Sequence, residues 1–142
     1  MKRENDKKKE NEIKKEFLGS YRLHANRMER ILEEIEELRE MQMLPMQNMD
    51  GMPHAGAAGG LENYAALFDE KDKELEKEKE QKMQAYSQIV YSISKLEEKK
   101  ENDVLFYRYI KGWDWEEISE KMNYSKRWVL DIHGKALEHL EI

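Results

Sequence analysis

The 142 residues include no cysteine, which excludes a disulfide scaffold, a thiolate metal site and a cysteine nucleophile, and fits a reducing compartment. Two prolines and seven glycines are too few for a fibrous repeat. No apolar run approaches the ~20 residues that span a bilayer, and the opening residues are Lys/Glu-rich where a secretory leader is apolar. The expectation is a soluble, cytoplasmic chain with no membrane partner. Apolar residues are scarce, at 39%, and charged residues match them at 39%, against a usual charged share of about 25%. Such a chain buries one small core or separate seams rather than a large interior.

The net charge of −6 is spread unevenly. Residues 1–30 carry ten Lys/Arg against six Asp/Glu, and residues 31–60 carry one against six. Residues 61–100 carry eight against ten, and residues 101–142 six against nine. The last stretch is therefore net acidic, which argues against simple, strongly electrostatic binding to nucleic acid.

Along the chain, residues 1–12 have no apolar residue after Met1 and read as a disordered, charged tail. Residues 13–43 form a long amphipathic helix. Phe17, Tyr21, His24, Met28, Ile31, Ile35 and Leu38 alternate steps of four and three along it. Residues 44–60 hold both prolines and four glycines, and read as a flexible Met/Gly/Pro linker. Met43, Met46, Met49 and Met52 recur at every third position near His54. Soft thioethers at that spacing suit copper(I), but adaptable apolar contact is the better reading, so no cofactor is expected. A second helix over residues 61–99 keeps the heptad phase through Phe68, Leu75, Tyr86, Ile89, Ile93 and Leu96. In that phase Asp72, Lys79 and Lys82 make the middle of the seam polar. The two helices either fold back as a hairpin or recruit a second copy, and a homodimer through residues 13–43 is the favoured expectation.

Residues 100–142 have a different texture, with all three tryptophans and three short periodic segments. Glu101–Ile110 is one helix, closed by Lys111–Gly112. Asp114, with Glu117 three residues on, forms a capping box for a second helix from Trp115 to Met122. Asn123 suits a left-handed turn residue, and Ser125 caps a third helix, Lys126–Leu140. Two helices joined by a tight turn follow the helix-turn-helix plan. Ser119 supplies the small residue at the crossing, and Ile118, Met122, Val129 and Ile132 face the angle between the helices. An all-α fold follows: a long N-terminal helical hairpin or coiled coil, then a helix-turn-helix domain.

The stretch VLFYRYIKGWDWEEISEKM and the closing KALEHL resemble region 4, the promoter-binding C-terminal part of sigma-70-type factors. The chain as a whole is similar to phage and prophage regulators of Gram-positive bacteria related to the autolysin regulatory protein. That resemblance implies a DNA-binding regulator of late or packaging genes, acting in the cytoplasm of a bacterial host. No promoter-melting region 2 is recognisable, so a complete sigma factor is not expected.

In a helix-turn-helix, early exposed positions of the second helix enter the major groove. Here those are Ser125, Lys126, Arg127, Leu130 and Asp131, with Lys135 and His133 assigned to backbone phosphates. Lys126 and Arg127 suit guanine O6 and N7, and Asp131 a cytosine amino group or the orientation of Arg127. Trp128 reads equally well as core or as contact. Double-stranded DNA is the expected partner, with RNA polymerase as an alternative because the block is acidic. A DNA-packaging subunit of the small-terminase type is a further reading. No nucleophile triad, phosphate loop or carboxylate–histidine metal spacing is present, so neither an enzyme nor a small-molecule substrate is expected.

Overall fold

The computed structural model describes residues 3–43 and 54–142, and it is helical throughout, with no strand among the described residues. The helices are α1 (Glu4–Gln42), α2 (His54–Ser94), α3 (Lys99–Leu105), α4 (Trp115–Met122) and α5 (Lys126–His139). A π-helical turn, Phe106–Ile110, continues α3. No described helix is long and apolar enough to cross a membrane.

The starts of the two long helices differ from what the sequence suggested. The charged stretch expected to be disordered is helical from Glu4, with Glu4 and Asp6 in a first turn whose free N–H groups favour acidic side chains. Helix α2 starts at His54, so residues 54–60 of the expected linker are helical; Ala55, Ala57 and Ala58 are the strongest helix formers available there. The rest of the linker and the methionines from Met46 to Met52 lie outside the described residues, and the copper(I) reading with them.

The chain divides into two compact units, one of Met1–His24 with Gln81–Ile142, the other of Ala25–Glu80. In the second unit α1 and α2 run antiparallel. Arg27 pairs with Glu78 at 3.8 Å and Glu34 with Lys71 at 2.7 Å, so seven residues along one helix match seven back along the other. Ile31 and Ile35 are buried between them. The α2 stripe that faces inward is Tyr64, Phe68, Lys71, Leu75 and Glu78, while Asp72 and Lys79 are exposed. Phe68 and Leu75 thus keep their expected places, while the polar positions between and after them fall one residue earlier, at Lys71 and Glu78 instead of Asp72 and Lys79. An inward Lys71 is tolerated because its ammonium reaches Glu34 and Glu74, at 2.7 and 3.3 Å. Its hydrogen bond holds the Glu34 carboxyl below the usual range, and Lys71 is raised in turn. The apolar seam of α1 is therefore covered within the chain. A homodimer through residues 13–43 would have to use surface other than the buried Ile31 and Ile35.

The first unit joins both ends of the chain. Leu18 of α1 is fully buried with Ala85, Ile89 and Ile93 of α2 and with Leu105, Ile110, Ala136, Leu137 and Leu140. Lys14 donates from Nζ to the Leu137 carbonyl at 2.6 Å, supplying a cationic partner to the last turn of α5. Helix α2 stops at Ser94, five residues short of its expected end, although no glycine or proline stands there. Lys95 and Leu96 donate to carbonyls three residues back, tightening the last turn, and the Asn102 side-chain amide donates to the Ile93 carbonyl at 3.2 Å. Buried Glu101 accepts from His139 Nδ1 at 2.8 Å. Gly112 has a φ of +72°, and a Cβ there would stand 2.9 Å from the Arg22 guanidinium. The left-handed conformation is what calls for a glycine, since the Arg22 guanidinium is the far end of a flexible side chain and can give way.

Candidate nucleic-acid interface

Helices α4 and α5 are set by local chemistry. Asp114 accepts from the Glu117 N–H at 2.8 Å, and Glu117 accepts from the Asp114 N–H at 3.1 Å. This reciprocal cap starts α4 at Trp115. Asn123 ends it in the left-handed conformation, φ 59° and ψ 40°. The N–H groups of Asn123 and Tyr124 both reach the Ser119 carbonyl, and the Ser119 hydroxyl donates to the Tyr124 carbonyl. Ser119 thus closes the turn by hydrogen bonding as well as by being small. The Ser125 hydroxyl then accepts from the Trp128 N–H at 3.1 Å and starts α5.

A separate core holds the two helices. Ile118, Val129 and Ile132 are buried with Val104 of α3, and Met122, Tyr107, Trp113 and Trp115 pack around them. Every residue expected to face the angle between α4 and α5 lies in this cluster or in the turn. Val104 is the addition, from a helix the sequence reading treated apart.

On α5, Val129, Ile132, His133, Ala136 and Leu137 form the buried side. Arg127, Asp131, Gly134 and Glu138 recur at steps of four, three and four on the opposite, exposed side. Leu130 is 41% exposed beside them. Lys126 lies on the α4 flank, 4.0 Å from Glu116, an exposed pair of little energetic weight. Trp128 lies on the α3 flank, 40% exposed, with Lys100 5.3 Å above its ring and Tyr124 edge-on at 6.4 Å. Lys135 is also exposed.

His133 is the correction. Expected on a phosphate, it is 8% exposed and hydrogen-bonded through Nε2 to the Tyr109 hydroxyl at 2.8 Å. The Trp115 ring stands edge-on at 4.8 Å. Burial, with the nearby charges of Lys15 and Arg108, lowers its pKa to about 4, so it is neutral at pH 7. Its step of four from Val129, a core position, was the signal that it faces inward.

Unit membership also changes the charge argument. Residues 101–142 are acidic by themselves, but the unit containing α5 carries eighteen Lys/Arg against sixteen Asp/Glu. The other unit carries seven against fifteen. The acidic excess belongs to the unit without α5. Among the described residues no group of three His, Asp or Glu side chains is placed to hold a metal ion. Comparison with protein-family models, curated proteins and solved structures yields no match.

Proposed function

We propose that the chain is a DNA-binding regulator of transcription in which α4 and α5 act as a helix-turn-helix and α5 reads the major groove. One observation carries this reading. The capped, left-handed turn and the private core fix α5 while leaving its face of Arg127, Leu130 and Asp131 in water. Arg127 is the principal donor to guanine O6 and N7, and Asp131, one turn on, steadies it or accepts from a cytosine amino group. Lys126 and Lys135 serve flanking guanines or phosphates, and His133 has no part in contact. The resemblance in sequence extends the proposal to phage and prophage late-gene regulators.

The exposed apolar side chains Leu130 and Trp128 favour a second reading, in which the same face docks on RNA polymerase. Selection from a random-sequence duplex library separates the two. The DNA reading expects enrichment of one sequence, and an Arg127→Ala variant that binds it roughly 5- to 150-fold more weakly, the equivalent of about 1–3 kcal/mol. No enriched sequence, together with co-purification of RNA polymerase, selects the second reading.

A further inference from the structure

Gly134 stands in the middle of α5, where the fold gives no reason for a glycine. Its φ is not among the positive values, and a Cβ built on it meets nothing within 4 Å. Glycine in a helix interior is destabilising relative to alanine, because the unfolded chain gives up more freedom. Gly112 differs on both counts, having a positive φ and a close neighbour. Position 134 lies one turn beyond Leu130 and two beyond Arg127, on the exposed side of the helix. Arg127 lies two turns before it on the same face, and Lys135 is exposed at the next position, about 100° round the helix. These two cations are available to a polyanion, while Asp131 and Glu138 flank Gly134 on the same side, so the close approach rests on the missing side chain and not on net charge.

We infer that Gly134 is a clearance position, where a DNA sugar-phosphate strand comes close enough to the α5 backbone to exclude a methyl group. The inference rests on the DNA reading above and names the point of closest approach. The glycine lets α5 sit deeper in the groove, bringing Arg127 and Leu130 within reach of base edges. Inside a helix its N–H is already hydrogen-bonded, so its contribution is space alone.

The test uses the duplex enriched by the parent protein, with Gly134→Ala and Gly134→Gln compared against Gly19→Ala. Gly19 is in α1, and a Cβ there also meets nothing within 4 Å. Both alanine variants should raise the thermal midpoint by about 2–5 °C. Only the Gly134 variants should lose affinity, about tenfold for alanine and more for glutamine. More stable protein with weaker binding cannot come from misfolding. If Gly134→Ala binds as tightly as the parent, the clearance role is overturned and the DNA reading stands. A lower thermal midpoint for Gly134→Ala also overturns it, since the glycine would then be serving the fold. If the parent enriches no duplex at all, the DNA reading fails and the clearance role with it.

Discussion

Acidification should destabilise the unit that contains α5 through a single side chain, His133. Burial holds its pKa at about 4, against an ordinary 6.5. Between these values the unfolded chain takes up a proton that the folded chain refuses, so stability falls as the pH falls. Integrated from pH 7 to 4.5, the loss is about 2.4 kcal/mol, an average of ~1 kcal/mol per pH unit. His139 acts in the opposite sense and in another window. Its hydrogen bond to Glu101 raises its pKa, so its contribution is complete below 6.5 and is lost as the pH rises through the raised value. It therefore leaves the acid slope to His133. Trp113, Trp115 and Trp128 all belong to this unit, and Trp115 touches the His133 ring, so tryptophan emission during urea unfolding follows the right part of the molecule. The urea midpoint should drop by about 1–2 M between pH 7 and 4.5. His133→Gln keeps a hydrogen-bonding group for Tyr109 but cannot ionise, and should remove most of that drop. An equal drop in His133→Gln would refute the reasoning.

Asn123→Gly should fold with parental stability, whereas Asn123→Val should cost about 1–2 kcal/mol, because a β-branched residue is strained at a φ of 59°. Thermal unfolding followed by tryptophan emission checks the difference. Glu34→Lys places two cations together between α1 and α2 and should lower the thermal midpoint measured by ellipticity. Adding Lys71→Glu should restore it, and a double variant no better than the single one would contradict the pairing at 2.7 Å.

Much of the α4–α5 geometry was legible because it depends on neighbours in sequence. The Asp114–Glu117 box, the turn at Asn123 and the Ser125 cap each involve residues at most five apart, and the inward stride of Ile118, Met122, Val129 and Ile132 follows from helix periodicity. The features that escaped depend on distant partners. The end of α2 at Ser94 is made by Asn102, with no helix breaker to announce it. The order of α1 near its start follows from Lys14 and Leu18 docking on the last turns of α5, more than a hundred residues away. The inward places of Lys71 and Glu78 on α2, one residue before the expected polar positions, reflect their neutralisation by Glu34 and Arg27, which makes inward charges acceptable where hydropathy alone places them outside. His133 was placed near backbone phosphates, although its spacing from Val129 puts it on the buried side.

The central claim is that α5 lies in the major groove with Arg127 on a guanine. Methylation interference on the duplex enriched by the parent protein tests it directly, because N7 lies in that groove. The account predicts that methylating one particular guanine blocks the parent and that Arg127→Ala no longer discriminates at that base. Binding that tolerates N7 methylation at every guanine, or an Arg127→Ala variant with an unchanged interference pattern, would contradict it.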